Sequence, residues 1–354
     1  MILELDGISH RYGTEVAVRD VSFGVESGEL VGLLGPSGCG KTTIVQSIAG
    51  HVRPTSGRVV LRGADVTTDP PESREVGLMF QRSTLFPHMT VGENVAYGLG
   101  PRNIDQEDRL ETVSSYLDLV DLADQRDAYP NELSGGQRRR AELARALAPQ
   151  PDVLLLDEPL SGLDRALRER LQQEIIRIQR ETSVTTLFVT HDQEEAMRMA
   201  DRLVLMNDGK VSGIGSPRTL YESPPTPFIA SFLGRSNTLQ ATVVDTDPVR
   251  LSFGDSQVTL SDPAEYAQGE AVSCHIRPSQ VSLNGDRGDA RLRIPGEVVR
   301  VADNGRRYDV TVRLAADEEL LVEHAEPPPS MGDRIDVSIS EQALTVFGER
   351  SKAR

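Results

Sequence analysis

Residues 35–42, with the sequence GPSGCGKT, constrain this chain more than any other feature. They fit the pattern G-x-x-x-x-G-K-[ST], in which glycines let the backbone turn tightly and aim its N–H groups at phosphate oxygens. The apolar run 30–34 before them predicts a buried strand, and residues 42–49 predict a helix whose N-terminus faces the phosphates. The pattern therefore predicts a nucleoside triphosphate site, in which Lys41 reaches the β- and γ-phosphates and Thr42 holds Mg²⁺.

Composition limits the class of protein. A length of 354 residues allows two domains, or three, and the formal net charge of −16 argues against nucleic acid as a partner. The N-terminus turns acidic at once, which predicts no signal peptide, and no apolar run approaches the roughly 20 residues that cross a bilayer. Cys39 and Cys274 have no metal-binding spacing, so we expect a reduced cytosolic protein that meets any membrane through a partner.

Arginine greatly outnumbers lysine among the basic residues. Lysine occurs only three times among the 38 basic residues, and arginine supplies the other 35. Two interpretations compete: a GC-rich genome, or adaptation to high salt, in which acidic and lysine-poor surfaces stay solvated. The coincidence of acidity with lysine scarcity favours salt adaptation, and melting the protein across a series of KCl concentrations distinguishes the two.

The pattern along the chain changes near residue 235. Before it, short apolar runs such as 153–156 and 185–189 alternate with helical periodicity, which predicts an α/β domain with a largely parallel sheet over residues 1–235. The strand signal fades between about 82 and 150, where residues 108–122 and 138–148 suggest helices, so we expect a helical subdomain there. Three prolines at 224, 225 and 227 precede a last short helix and a linker.

Residues 236–354 are typical of an all-β domain. Short alternating strands separated by turns predict a small barrel or sandwich. Residues 269–276 match residues 332–339 in residue type, and each is followed by a second short apolar stretch, near 281 and near 344. Two copies of one β-unit therefore account for the domain, with chance similarity between strands as the alternative.

The first domain contains a second motif, which is an apolar run that ends in two acidic residues. The apolar run 153–156 ends in Asp157 and Glu158. Open α/β sheets bind ligands at the carboxyl ends of their strands, so Asp157 is a candidate Mg²⁺ ligand and Glu158 a candidate base for the attacking water. Alone, the run is more typical of an ordinary strand end with solvated acids; beside a phosphate loop, the functional interpretation gains weight.

The ordered set of motifs resembles the ATP-binding subunits of ABC transporters. Residues 133–137, LSGGQ, match the signature of that family, and the remaining motifs follow in its order: Gln81 after a strand, SGLD at 161–164, and THD at 190–192. The resemblance implies an α/β P-loop NTPase fold, the ABC ATPase, with a helical subdomain and a C-terminal OB-like domain. It also implies ATP and Mg²⁺ as cofactors.

The resemblance assigns roles residue by residue. Tyr12 is similar to the aromatic that stacks on adenine, Gln81 to the glutamine that contacts Mg²⁺ and water, and His191 to the switch histidine at the γ-phosphate. The implied catalytic residues are Lys41, Gln81, Glu158 and His191, and the implied metal ligands are Thr42, Gln81 and Asp157. The implied nucleotide-binding residues are Tyr12, Gly35, Pro36, Ser37, Gly38, Cys39, Gly40, Lys41, Thr42, Thr43, Ser134, Gly135, Gly136, Gln137 and Asp164.

A phosphate loop alone leaves one side of the γ-phosphate open to water. In the family, Ser134, Gly135 and Gly136 close over the ATP held by a second copy, with the helix that follows pointing its N-terminus at the phosphates. Asp164 would lie at the interface between the copies. The resemblance thus implies an ATP-sandwich homodimer that opens when the γ-phosphate is lost.

The C-terminal domain resembles the transport-associated OB-type domain of one branch of import ATPases, through IRPSQ at 276–280. We therefore expect the ATP-hydrolysing subunit of a binding-protein-dependent importer, peripheral on the cytoplasmic face of the membrane. Its partners would be permease subunits and, indirectly, an extracytoplasmic solute-binding protein. Small details such as ARALAP at 144–149 resemble ferric-iron importers, with polyamine, thiamine, sulfate or molybdate as alternative cargoes.

Two further hypotheses concern the class of protein. A soluble ABC ATPase of nucleic-acid repair or translation shares the motifs, but the net charge of −16 opposes it. A ligand-sensing C-terminal domain that regulates transport is compatible with an importer. Calorimetry with oxyanions and metal ions on residues from 236 onward addresses this hypothesis.

Overall fold

A computed structural model describes residues 1–100, 105–261, 266–284, 290–315 and 318–348. The chain forms two compact units, Met1–Arg218 and Thr219–Arg354. The units divide earlier than the predicted domain boundary at 235/236, and that boundary stays a prediction.

The first unit alternates strands and helices. Its strands are β1 (Leu3–Tyr12), β2 (Glu15–Val25), β3 (Leu30–Leu34), β4 (Ser56–Leu61), β5 (Ala64–Asp65), β6 (Val76–Met79), β7 (Val153–Asp157), β8 (Thr185–Thr190), β9 (Arg202–Asn207) and β10 (Lys210–Gly215). Its helices are α1 (Lys41–Ala49), α2 (Val91–Tyr97), α3 (Gln106–Leu119), α4 (Gly135–Leu147), α5 (Arg165–Thr182) and α6 (Gln193–Met199).

A six-stranded sheet in the order β10-β9-β3-β8-β7-β6 carries the site. Strands β6, β7, β8, β3 and β9 run parallel, and β10 is the only described strand of this sheet that is antiparallel to its neighbour. The central strands are buried along almost their whole length, because both faces of this parallel sheet are covered. Their carboxyl ends therefore lie along one edge, which gathers the segments after β3, β6, β7 and β8.

A smaller antiparallel sheet, β2-β1-β4-β5, completes the nucleotide-binding unit. β1 and β2 are joined by a tight turn in which Gly13 takes a φ of 60°. One apolar core lies between this sheet, α1 and the parallel sheet, and a second packs α2 to α5 against the other face of the parallel sheet. In α2, the Thr90 hydroxyl and the Glu93 carboxylate form a capping box that fixes where the helix begins.

Two short helices, the first of which starts two residues before the second unit, precede the β-structure of that unit. The helices are α7 (Pro217–Glu222) and α8 (Pro227–Phe232). The strands are β11 (Asn237–Thr246), β12 (Val249–Phe253), β13 (Ser256–Thr259), β14 (Ala271–Ile276), β15 (Val281–Leu283), β16 (Ala290–Asp303), β17 (Tyr308–Leu314), β18 (Glu319–His324), β19 (Arg334–Ser340) and β20 (Thr345–Phe347).

These strands form two five-stranded sheets of matching topology, β13-β12-β11-β14-β20 and β18-β17-β16-β19-β15. Each half of the unit supplies a meander of three strands, a fourth strand, a one-turn 3-10 helix and a short fifth strand. The fifth strand of each half pairs with the fourth strand of the other half, β15 with β19 and β20 with β14. The repeat seen in the sequence is therefore part of a larger duplication in which the halves exchange their last strands.

Among the described residues, no helix has both the length and the apolar character needed to span a membrane.

Candidate nucleotide site

The phosphate loop follows the predicted strand and precedes the predicted helix. α1 begins at Lys41, one residue earlier than expected, and Gly40 before it has a φ of 100°. A Cβ at Gly35 would stand 2.3 Å from the Met206 carbonyl oxygen. Gly35 is therefore required by the close approach of another backbone. Gly40 is required by its left-handed conformation and also by the Ala17 carbonyl oxygen, which would stand 2.6 Å from a Cβ there.

Lys41 closes this loop from inside. Its ammonium group donates to the carbonyl oxygens of Gly35 at 2.7 Å and Pro36 at 2.8 Å, and the residue is only 7% exposed. Burial raises the pKa of the neighbouring Cys39 thiol, although the Lys41 charge opposes that shift. The loop thus holds one desolvated cation among main-chain groups, an arrangement suited to phosphate oxygens.

Asp157 is the last residue of β7 and lies half-buried at the same sheet edge. Burial raises the pKa of its carboxyl group, the adjacent Glu158 charge raises it further, and the Lys41 ammonium lowers it. The Asp157 carboxylate is therefore within electrostatic reach of the phosphate loop. Its oxygens are the kind of ligand that Mg²⁺ prefers.

Glu158 is held in an unusual backbone conformation. Its φ of 46° lies in the left-handed region, which costs a non-glycine residue about 1 kcal/mol or more. Its N–H donates to the Val189 carbonyl oxygen on β8 at 3.0 Å, which fixes the residue against the neighbouring strand. Strain of this kind is concentrated at functional sites.

Two predicted residues converge on the Glu158 carboxylate. The Gln81 side-chain amide donates to one oxygen at 2.6 Å, and Nδ1 of His191 lies 3.0 Å from the other. A carboxylate that is ionised only accepts, so this contact is a hydrogen bond when the hydrogen is on Nδ1 of His191. Glu158 is 20% exposed and His191 is 59% exposed, so the group opens to solvent. The structure therefore brings together the residues after β6, β7 and β8.

Tyr12 lies apart from this group, at the end of β1. It is 50% exposed and meets His10 edge to face, with ring centroids 4.6 Å apart and an interplanar angle of 77°. The ring is thus supported by a neighbour while the side chain remains open, as a stacking platform requires.

The signature segment begins α4. The Ser134 hydroxyl accepts from the Gln137 N–H at 3.3 Å, and the Gln137 side-chain oxygen accepts from the Ser134 N–H at 2.9 Å. This capping box starts the helix at Gly135, whereas the sequence placed its start at Arg138 because two consecutive glycines suggest a turn. The hydrogen bonds of Ser134 and Gln137 thus stay within the first turn of α4.

Asp164 caps the next helix in the same way. Its carboxylate accepts from the Leu167 N–H at 3.1 Å at the start of α5. A Cβ at Gly136 would stand 2.7 Å from Leu167, so the first turns of α4 and α5 lie side by side. Asp164 and the signature segment therefore neighbour each other, while Gln81, Glu158 and His191 form a separate cluster.

Some contacts of the site have no counterpart among the predicted residues. Arg139 of α4 donates to the carbonyl oxygens of Phe80 and Gln81 and pairs with Glu142, which in turn accepts from the Thr84 N–H. The i, i+3 spacing of Arg139 and Glu142 indicates a possible ion pair in the sequence. Their main-chain partners leave no such signal, because a carbonyl oxygen has no residue signature.

A phosphate loop after a central parallel strand, with an acidic strand end beside it, defines a P-loop ATPase. Family models agree: residues 18–161 match that of the ABC transporter and residues 274–347 match that of the TOBE domain. The chain is 43% identical over 337 residues to the spermidine/putrescine import ATP-binding protein PotA of Acidothermus cellulolyticus, a match that covers 92% of this chain and 88% of the relative. It is 37% identical to the Fe(3+) ions import ATP-binding protein FbpC of Photorhabdus laumondii subsp. laumondii, over 99% of this chain and 98% of the relative.

Solved structures agree on the fold of the first unit. An ATP-binding cassette solved as a dimer in a post-hydrolysis state with ADP and Pi shares 30% identity, with a TM-score of 0.54, over 61% of this chain and 99% of that one. The chain belongs to the family of ATP-binding subunits of ABC importers. It is an ATPase whose hydrolysis is coupled to transport, and its predicted fold class is confirmed.

Proposed function

We propose that two copies of this chain clamp Mg-ATP between them and that Glu158 is the general base that activates the attacking water. The observation that carries the proposal is the position of the Glu158 carboxylate, held between Gln81 at 2.6 Å and His191 at 3.0 Å at the edge where the phosphate loop opens. Gln81 and His191 orient the carboxylate, and His191 keeps its Nε2 available on the other side of the ring.

Within one copy, the phosphate loop supplies the ground-state contacts. The Lys41 ammonium exchanges its bonds to Gly35 and Pro36 for bonds to phosphate oxygens, and the N–H groups at the start of α1 face the same anions. Thr43, in the first turn of α1, belongs to the same phosphate-binding segment. Tyr12 stacks on the adenine.

The chain also offers a set of hard oxygen ligands for Mg²⁺. The Thr42 hydroxyl and the Asp157 carboxylate would hold the ion, with the Gln81 amide oxygen as a third donor. A small number of protein oxygens together with phosphate oxygens would fit Mg²⁺, which uses few protein ligands. When bound, the ion neutralises charge that develops on the phosphates.

The second copy would complete the site. Ser134 caps a 13-residue helix that begins at Gly135, and its capping box pairs only the N–H groups of Ser134 and Gln137, each with the other's side-chain oxygen. The N–H groups of Gly135 and Gly136 take no part in the capping box, so the helix N-terminus is available for an anion. Asp164 stands beside it at the start of α5. The dimeric relative bound to ADP and Pi supports this arrangement.

A groove in the helical segment is the proposed docking place for the permease. Its volume is about 950 Å³, and it opens between α2 and α3. Tyr97 and Leu110 on its walls are 54% and 49% exposed, beside Arg109, Arg126 and Glu93. Exposed apolar walls with charged side chains beside them suit an amphipathic cytoplasmic helix of a membrane protein. We infer that the chain is peripheral on the cytoplasmic face and that a solute-binding protein serves the same importer.

The relatives bear on the cargo through their names alone. Those named for spermidine and putrescine reach 44% identity and those named for Fe(3+) reach 40%, so we place a polyamine ahead of the ferric iron favoured by the sequence. Uptake of labelled spermidine and of labelled ferric iron, in cells that lack this chain, separates the two. The cargo whose uptake returns with the parental chain, and not with Glu158→Gln, is the one transported.

The base assignment is tested by Glu158→Gln, with Glu181→Gln as the matched control on the exposed end of α5. General-base removal is expected to lower kcat by about 10²- to 10⁴-fold while ATP binding persists. The variant should also dimerise with ATP, because the clamp is no longer released. Normal hydrolysis by Glu158→Gln would refute the assignment, and a matching loss in Glu181→Gln would show that the assay reports a general defect.

A further inference from the structure

The segment that carries Gln81 is attached to α4 as well as to the sheet. β6 ends at Met79, and the next five residues run along one face of α4. Arg139 donates to the Phe80 carbonyl oxygen at 3.1 Å and to that of Gln81. One guanidinium group therefore holds the main-chain carbonyl groups on both sides of the Gln81 Cα.

The same face of α4 holds the far end of the segment. One oxygen of Glu142 accepts from the Thr84 N–H at 2.8 Å, and the other lies 3.1 Å from the Arg139 guanidinium. Arg145, one turn further, donates to the Thr84 carbonyl oxygen at 2.7 Å. These three residues at i, i+3 and i+6 bind both ends of the segment, and Arg82 and Ser83 between them are exposed.

The clasp formed by Arg139 and Glu142 is buried. The Arg139 side chain is 12% exposed and that of Glu142 is 2% exposed, so their interaction is poorly screened. A buried pair whose charges also bind main-chain groups fixes geometry more firmly than a surface pair. The Gln81 backbone is therefore set by α4, and the Gln81 side chain in turn contacts Glu158 at 2.6 Å.

We propose that Arg139 and Glu142 are positioning residues for hydrolysis, which place the Gln81 amide against Glu158 by clasping its loop to the signature helix. The proposal rests on the roles given above to Gln81 and Glu158. Since α4 also begins with Ser134 and Gly135, a shift of this helix when a second copy binds carries the Gln81 amide with it. Engagement of the signature segment and orientation of the base are thereby linked through one helix.

The test removes the pair as a whole, because deleting one partner leaves a buried charge unpaired. Arg139→Met/Glu142→Leu is compared with Arg140→Met/Glu174→Leu, a control that removes another ion pair of α4, 2.9 Å long, on the side facing α5. Hydrolysis by the full chain is measured for each, with and without Gln81→Ala. We expect the clasp variant to lower kcat at least tenfold, with KM for ATP within about twofold of the parent and the control near parental.

The Gln81→Ala background decides whether the clasp acts through Gln81. A positioning role predicts that Gln81→Ala lowers kcat and that removing the clasp then lowers it no further. Equal fold losses in both backgrounds, or an equal loss in the control, would overturn the proposal. If Gln81→Ala hydrolyses at the parental rate, the Gln81 role fails and the clasp proposal with it, whereas Glu158→Gln still reports on the base by itself.

A milder variant guards against a folding defect. Arg139→Lys keeps the positive charge beside Glu142, but a single ammonium cannot reproduce the fork in which Nη1 binds Phe80 and Glu142 while Nη2 binds Gln81. It is expected to keep the parental melting temperature and to show part of the kcat loss. Parental kcat in Arg139→Lys and in the pair variant together would refute the proposal.

Discussion

Gly135→Ala separates what the fold needs from what the dimer needs. Within the described part of the chain, no atom outside its own helix and its neighbours lies within 4 Å of the position where a Cβ at Gly135 would stand. Gly135 is the first residue of α4, and its φ is not among the positive ones. Nothing in a single copy therefore requires glycine there. The dimer proposed above supplies a reason, because the nucleotide of a second copy would face this position.

The expected size of the stability effect follows from this open position. Alanine is favoured over glycine by about 1 kcal/mol inside a helix and by less in the first turn. A gain of about 0.5 kcal/mol would raise the melting temperature by about 1–2 °C for a unit of this size. The neighbouring Gly136→Ala is the contrast, because its Cβ would stand 2.7 Å from Leu167 and that side chain must shift. We expect Gly136→Ala to melt below the parent.

Function is expected to change in the opposite direction. A methyl group at residue 135 would occupy the space that a phosphate of the partner's nucleotide needs, so ATP-dependent dimerisation and kcat should fall at least tenfold, about 1.4 kcal/mol in the barrier. Thermal melts, light scattering with ATP and steady-state hydrolysis measure the three quantities. A Gly135→Ala chain that dimerises and hydrolyses like the parent would refute the idea that this surface faces nucleotide. A Gly135→Ala chain that melts clearly below the parent would refute the inference that the Cβ position at residue 135 is unoccupied.

Three further outcomes are expected. Burial lowers the pKa of His275, with the Arg277 charge adding to the shift, so the folded unit binds this proton less readily than the unfolded chain. Its free energy of unfolding should therefore fall as pH drops below about 6.5, and His275→Phe should flatten that slope in denaturant melts. Burial raises the pKa of Cys274 to about 12, so iodoacetamide should label it only after unfolding. Phe188→Ala should cost about 3–5 kcal/mol in urea, and a cost below about 1 kcal/mol would contradict its place in the core.

The sequence predicted those parts of the fold that depend on local pattern. The apolar runs of β3, β7 and β8 identified a parallel sheet, because strands buried on both faces cannot alternate. The ordered motifs then predicted that Gln81, Glu158 and His191 would serve one site, and the structure places them together. The start of α4 was placed three residues late, although Ser134 and Gln137 carry the S-x-x-Q spacing of a capping box.

The contacts that were not predicted are those made to main-chain atoms or between distant strands. The Arg139 bonds to the carbonyl oxygens of Phe80 and Gln81 depend on the path of a loop, which no residue type records. The sequence does not predict the left-handed conformation of Glu158 either, since glutamate seldom adopts it. The exchange of β15 and β20 needs register between strands far apart along the chain, and the repeat alone indicates only that two similar units exist.

That exchange has a consequence for how the second unit loses its structure. Each five-stranded sheet ends in a strand lent by the other half, so neither half keeps a complete sheet when its counterpart opens. When one half unfolds, the sheet of the other half loses its edge strand, and backbone groups that were paired become exposed. The two halves should consequently come apart in a single cooperative transition, and a fragment cut to one repeat should be unable to persist alone.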